Sequence, residues 1–423
     1  MTTKTLGRPI AVIDLETTGL FPWRHDRVVE IAAVIIDSEG KIVREFVSLI
    51  NPERDIGPTS VHGLTSEDLL DAPHFEEIAP LLLETLEDTV AIASHNVRFD
   101  RQFLDYEFAR FDCGLPDYAS FCTMQLAGGG KLSDCCRDFG VAANADFHHA
   151  LNDARAAANL LVALLADDPS AARQLQQSTA VRWPSIPKRG KQPVTRDEAR
   201  QRQSTPPNFL QRLLERTDRT SIIGASDGAI MAYGALLDRV LEDRRVDDSE
   251  ADSLVEMAEK WGLSRKQIEQ THRDYLNQLA IAAVADGIVT DSERRDLNLV
   301  ARLLGQSNVE LDKVLAEAAN RLAETGPSSV RSNVEETKFS GKRVCFTGEL
   351  QCCLNGQPIS REEAERLARA AGLELASSVT KKLDILVLAD PHSQSGKAKK
   401  AREYGVRIMH EPVFWRTIGV ATT

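Results

Sequence analysis

No run of residues in this 423-residue chain approaches the ~18 to 20 apolar positions that a membrane span requires. No apolar h-region precedes the first strand, so no signal peptide is expected. Cysteine is sparse: Cys113, Cys122, Cys135, Cys136, Cys345, Cys352 and Cys353. The number is odd, two pairs are adjacent, and C-x-x-C spacing is missing. That pattern argues against a disulfide framework and against a thiolate zinc site. A reducing, cytoplasmic setting is expected.

What is present describes a soluble, globular chain of two to four domains, with a net charge of −12 and 42% hydrophobic residues. The charge is uneven. The first 165 residues carry 13 Lys and Arg against 26 Asp and Glu, whereas residues 171–220 carry 11 against 4. A second basic block covers residues 339–419. An acidic chain is on average a poor nucleic-acid binder, but basic blocks can bind phosphate locally.

The stretch Ile10–Leu20 (IAVIDLETTGL) reads as a buried strand ending in two carboxylates. Residues two apart on a strand face the same way, so Asp14 and Glu16 lie side by side. They repel unless a cation, normally a divalent metal, sits between them. Further strands are expected over 28–37, 41–50 and 89–94. Helices are expected over 66–70, 75–86, 97–110, 132–139 and about 149–165. Strands first, then alternating helices, indicate a mixed sheet flanked by helices. Asp100 falls in the first turn of one helix and Asp153 on the last, five residues after His148. Taken singly, each could be a helix cap or a polar surface residue.

Taken together, D-x-E-T-T-G-L, H-N-x-x-F-D (His95–Asp100) and H-x-A-x-x-D (His148–Asp153) follow in order within one domain's length. His62-Gly63-Leu64 and Cys122-Thr123 add to the pattern. This set resembles the DnaQ-like, or DEDDh, family of 3′-to-5′ exonucleases. The resemblance covers about the first 165 residues and implies an RNase H-like mixed sheet. It implies that Asp14, Glu16, Asp100 and Asp153 hold two divalent ions, Mg²⁺ or Mn²⁺, and that His148 is the general base. His149 does not fit the spacing. Hard oxygen ligands suit such ions, two of them can activate a water and stabilise the leaving 3′ oxygen, and histidine exchanges protons near neutral pH. The resemblance further places Leu15, Thr17 and Thr18 against the terminal nucleotide and His62 near its base.

Residues 167–218 are rich in Pro, Gln and Arg and poor in large apolar residues, so an extended basic linker is expected. Few aromatics lie among its charges, which favours a tether over a nucleic-acid arm. Trp183-Pro184 is the segment expected to pack back. Residues 219–323 are helical in pattern and carry an internal repeat of 43 residues, with Asp243–Glu250 aligning on Asp286–Glu293. The stretch Ala285–Glu293 (ADGIVTDSE) resembles the TerB-like helical domain. Asp243, Glu250, Asp286 and Glu293 are candidate oxygen ligands for a cation such as Ca²⁺; alternatively Asp248-Ser249-x-x-Asp252 and Asp291-Ser292-Glu293 only cap helices. A second linker is expected over 324–338.

From Phe339 to about residue 420 a βαββαβα order is read. Phe346-Thr347-Gly348, Arg361, Ala364, Ser378–Lys382, Leu386-Val387, Lys397, Lys400-Ala401 and Trp415 resemble a BRCT domain. That resemblance implies binding of protein partners, phosphopeptides or 5′-phosphorylated DNA ends. Thr347, Gly348 and Lys397 match its phosphate-pocket positions; a hydroxyl, an amide and a lysine together suit a phosphate.

The expectation is a multidomain α/β protein: a metal-dependent 3′–5′ exonuclease acting on DNA, with an all-α module and an α/β BRCT module as candidate partner-binding sites, and no membrane association. The alternatives are an RNA 3′-end-trimming enzyme and a non-catalytic BRCT-containing scaffold.

Overall fold

The computed structural model describes residues 7–142, 148–188, 190–203, 227–284, 289–306, 310–325, 339, 341–354, 356–420 and 422. The chain forms two compact units, Met1–Arg202 and Gln203–Thr423.

The first unit is built on strands β1 (Ile10–Thr17), β2 (Val28–Ile36), β3 (Ile42–Leu49), β4 (Ala91–Ser94) and β5 (Ala119–Cys122), in the order β3-β2-β1-β4-β5. β1, β2 and β3 pair antiparallel, while β4 and β5 add parallel to β1. This is a mixed sheet of RNase H-like α/β type. The helices expected from the sequence are α2 (Ser66–Leu69), α3 (Phe75–Thr85), α4 (Val97–Ala109), α6 (Leu132–Asp138) and α7 (Ala150–Asp167); the single turns α1 (Thr59–His62) and α5 (Thr123–Leu126) were not expected.

Strand parity decides which helix sees which residue. Ala11, Ile13 and Leu15 pack with Phe75, Leu82, Phe103 and Phe108 of α3 and α4. Ile10 and Val12 pack on the other face with Ala150, Ala154, Ala157, Ala158, Leu161 and Leu165 of α7. The alanines of α7 recur at helical spacing and let its backbone come close to the sheet. Asp14 and Glu16 share the parity of Val12, so they extend from the α7 face. β2 is buried along its whole length, which explains its near-continuous apolar sequence.

The basic linker expected over 167–218 is folded as far as residue 203. Helix α8 (Pro169–Gln177) follows α7 directly, and α9 (Arg196–Gln203) closes the unit. Between them Trp183 donates its indole N–H to the Thr89 hydroxyl at 3.3 Å and meets the Tyr118 ring at 5.4 Å. The Leu49 amide donates to the Val194 carbonyl at 2.7 Å. A few well-spaced apolar residues, Trp183, Ile186, Val194 and Ala199, suffice to anchor a segment whose composition looks solvated. Residues 204–218 lie outside the described residues.

The second unit opens with α10 (Asp227–Val240), α11 (Asp248–Lys260), α12 (Arg265–Ala283), α13 (Asp291–Leu303) and α14 (Leu311–Thr325), packed around one apolar core. The 43-residue repeat is a repeat of capping boxes: Asp247 with Glu250 opens α11, and Thr290 with Glu293 opens α13. The carboxylates of Glu250 and Glu293 thus cap helix starts. Asp286 lies outside the described residues. Burial pushes Asp243 up to about 6 and Glu250 up to about 7.

Strands β6 (Arg343–Thr347), β9 (Glu374–Leu375), β10 (Ile385–Leu388) and β11 (Arg407–His410) form an all-parallel sheet in the order β11-β10-β6-β9, and β7 (Cys353–Leu354) and β8 (Gln357–Pro358) form a small hairpin. Helices α15 (Arg361–Ala370), α16 (Gly396–Tyr404) and α17 (Glu411–Thr417) cover the sheet. Trp415 is fully buried against Phe346 and Phe414. β9 is an edge strand paired on one side only, with β6, and runs for just Glu374–Leu375.

Bundle and sheet share polar contacts. Arg244 is buried in left-handed conformation (φ 61°) and makes a two-pronged pair with Asp296 of α13, at 2.8 Å on each arm. His410 Nδ1 at the end of β11 lies 3.2 Å from the same Asp296. Arg407 forks onto Glu242. Among the described residues no helix is long and apolar enough to cross a membrane.

Candidate active site

Four acids converge where β1 and β4 end. Asp14 and Glu16 project from β1 on the α7 side. Asp153 sits in the first turn of α7, and its position follows from the alanine stripe that seats this helix on β1 and β2. Asp100, in the first turn of α4, accepts a 2.6 Å hydrogen bond from the Ser94 hydroxyl at the end of β4. Glu16, Asp100 and Asp153 are all buried.

Crowding shows in their protonation. Burial, then Asp100, Asp153 and Glu16, drives Asp14 well above the ordinary aspartate range. Burial and then Glu30 push Glu16 up to about 8. Burial raises Asp100 to about 7 against the opposing hydrogen bond from Ser94. Asp153 is raised by burial and held back by the His148 amide. Without a cation, these groups cannot all ionise together.

Donor atoms of Glu16, His148 and Asp153 lie within 4.8 Å of one another, a spacing that one cation with ligands at ~2.0–2.6 Å can bridge. Asp153 Oδ1 is buried without a hydrogen-bond partner. Its Oδ2 accepts the His148 amide at 3.0 Å. His148 is exposed and its backbone is left-handed, with φ 70°. The structure therefore brings Asp14, Glu16, Asp100, His148 and Asp153 to one place.

The expected nucleotide contacts are distributed differently. Leu15 has the opposite parity to its neighbours, and its side chain packs into the α3–α4 core. Thr17 donates its hydroxyl to the Gly19 carbonyl at 2.7 Å. The Thr18 hydroxyl accepts the Arg27 amide at 3.1 Å and donates to Asp26. His62, expected beside the terminal base, has its ring buried instead. Its Nδ1 accepts the Leu64 amide at 3.1 Å and its Nε2 donates to the Ile56 carbonyl at 3.2 Å. Both ring nitrogens are thus committed to local backbone, and burial lowers its pKa.

Two residues of the site escaped the sequence reading. Glu30 of β2 stands directly opposite Glu16 in the β1–β2 register and is 2% exposed. Like charges so placed are destabilising. Arg196 offsets this with a two-pronged pair to Glu30, at 2.9 and 2.7 Å. The signal for Glu30 was available, since a lone acid inside a nine-residue apolar strand needs a buried partner.

A family model described as Exonuclease (RNase_T) matches residues 11–161. The epsilon subunit of DNA polymerase III from Rickettsia conorii is 34% identical over 183 residues, covering 40% of this chain and 79% of that protein. The chain belongs to the RNase_T exonuclease family. It is accordingly a hydrolase of the 3′–5′ exonuclease class, and this family uses divalent metal ions. The Escherichia coli epsilon subunit is 26% identical over 246 residues, covering 54% of this exonuclease and 92% of that subunit. A Mycobacterium tuberculosis protein named as a bifunctional exonuclease/endonuclease is 35% identical over 170 residues, but this chain spans only 26% of its length. A BRCA1 C Terminus (BRCT) model matches residues 334–417, and such domains generally mediate protein interactions.

In the BRCT domain, Thr347 Oγ1 lies 3.0 Å from Ser395 Oγ, Gly348 turns with φ 74°, and Lys397 Nζ donates to the Phe346 carbonyl at 3.1 Å. Thr347, Gly348 and Lys397 are thereby brought together. Ser395, which caps α16, joins them unpredicted.

Proposed function

We propose that this chain removes nucleotides one at a time from the 3′ end of DNA, as a two-metal exodeoxyribonuclease of repair or replication editing. The observation that carries the reading is the convergence of four crowded carboxylates with one exposed histidine. The donor set fits the metal: hard oxygens, raised pKa values that a cation would reverse, and the orphaned Asp153 Oδ1. Asp14, Glu16, Asp100 and Asp153 would hold two ions, Mg²⁺ or Mn²⁺. Bound there, such ions supply positive charge to the phosphodiester and acidify the attacking water. His148, tethered through its amide to Asp153, presents its ring to solvent and takes the proton of that water. Thr17 and Thr18 stiffen the loop beyond β1 and so shape the floor on which the terminal nucleotide rests.

DNA is favoured over RNA by the BRCT domain and by the DNA polymerase subunits among the relatives. In the second unit, Thr347, Gly348 and Lys397 are the contacts for a phosphate of a protein or DNA partner, supported by their proximity. The TerB-like bundle is an interaction module, with Glu250 and Glu293 committed to helix caps, and the setting is cytoplasmic. The test is degradation of 3′-labelled DNA and RNA with Mg²⁺ and with EDTA. DNA loss confined to the Mg²⁺ arm is expected. Loss of RNA alone would make the chain an RNA-trimming enzyme, and no loss of either polymer would leave a non-catalytic scaffold.

A further inference from the structure

We infer that Arg196 is a positioning residue for the general-base loop, and that α9 is therefore part of the catalytic apparatus. The inference rests on the role given to His148 above. Arg196 opens α9, well beyond residue 161 where the exonuclease family match ends. Its side chain is 6% exposed. Besides the fork onto Glu30, Nη1 donates to the His62 carbonyl at 2.7 Å and Nη2 donates to the His148 carbonyl at 2.9 Å. Glu30 Oε2, steadied by this pair, also accepts the Ala150 amide at 3.0 Å. The segment entering α7 is thus held at three backbone groups. The His148 amide is bound by Asp153, its carbonyl by Arg196, and the Ala150 amide by Glu30.

This hold answers a specific need. A left-handed residue with a β-carbon is strained, and such a conformation persists only where surrounding contacts over-determine it. The planar fork of arginine can grip a carboxylate and two carbonyls at once, which a lysine ammonium cannot. Arg196 touches neither substrate nor metal; it acts through the placement of His148.

The experiment uses the full chain. In Arg196→Gln, kcat on 3′-labelled single-stranded DNA is expected to fall about 10- to 100-fold with KM little changed, since displacement of a catalytic group by about 1 Å has that effect. In His148→Ala, adding Arg196→Gln is expected to cost no further rate, because one acts through the other. Multiplying losses would overturn the inference and assign Arg196 a general structural role. If Arg196→Gln folds poorly with Glu30 left unpaired, Glu30→Gln/Arg196→Met removes both charges while the new carboxamide oxygen still accepts the Ala150 amide; the same kcat loss is expected. Hydrogen exchange gives a readout independent of nuclease activity. The amide of His148 should exchange faster in both Arg196 variants, and unchanged exchange there would overturn the inference even in a chain that degrades no DNA.

Discussion

Replacing Glu16 by glutamine is expected to stabilise the metal-free protein while removing part of its response to metal. Glu16 is 7% exposed, and burial followed by Glu30 pushes its carboxyl from 4.5 to about 8. Between those two values the unfolded chain is ionised there and the folded chain still holds a proton. Stability therefore falls as pH rises through this window, by about 1.4 kcal/mol per pH unit for one isolated group. The penalty is absent below 4.5 and complete above about 8. At pH 7 it would reach roughly 3 kcal/mol for a single carboxyl. Sharing of protons among Asp14, Glu16, Asp100 and Asp153 reduces this to on the order of 1–2 kcal/mol. For a domain of about 200 residues that corresponds to roughly 2–8 °C in Tm. Calorimetry in EDTA at pH 5, 7 and 8.5 measures it. Glu16→Gln should melt higher than the wild type at pH 8.5, the gap should shrink toward pH 5, and Mg²⁺ should raise the wild-type Tm more than that of the variant. A variant that melts at or below the wild type in EDTA at pH 8.5 would refute the reasoning.

Further expectations follow from the same geometry. His148→Ala should lower the cleavage rate by about 10²–10⁴ while Mg²⁺ still raises Tm; Asp14→Ala should lose rate and metal-induced stabilisation together, read by the same two assays. A fragment ending at Ser178 retains all of the family-matched residues but lacks Trp183, Val194 and Arg196. It should be at least about tenfold less active than a fragment ending at Gln203, and equal activity would show that α9 is dispensable. Arg244→Met leaves Asp296 buried beside His410 alone and should destabilise the second unit by about 3–5 kcal/mol. Calorimetry should show that transition moving while the exonuclease transition and the nuclease rate stay in place.

The parts of the site that share a strand or a helix turn were readable in the sequence. The same-side pairing of Asp14 and Glu16 follows from period two, and the alanine stripe announces that α7 will lie close against a sheet and carry Asp153 with it. Leu15 shows the limit of motif analogy, because the parity that aims Asp14 and Glu16 at α7 sends Leu15 into the core. The His62 ring was likewise assigned to substrate, but backbone groups of its own turn claim both nitrogens, and no periodicity reports that. Glu30 and Arg196 lie 166 residues apart, and no local pattern links them. Composition misled most over residues 167–203, where abundant Pro and Arg conceal a few apolar anchors. β5 was missed because Ala119–Cys122 is too short to show alternation.

The joint around Asp296 bears on how such a chain can be inherited. One carboxylate serves an arginine from the first helical repeat and a histidine from the end of a BRCT strand, while Glu242 and Arg407 tie the same two modules at their surface. A BRCT domain lacking the counterparts of His410 and Arg407 would leave Asp296 and Glu242 short of partners, and removal of the bundle would leave His410 and Arg407 without these two carboxylates. The two modules are therefore expected to pass between lineages as one block, whereas the exonuclease unit, whose buried ion pairs among the described residues close within itself, can be recombined with other companions.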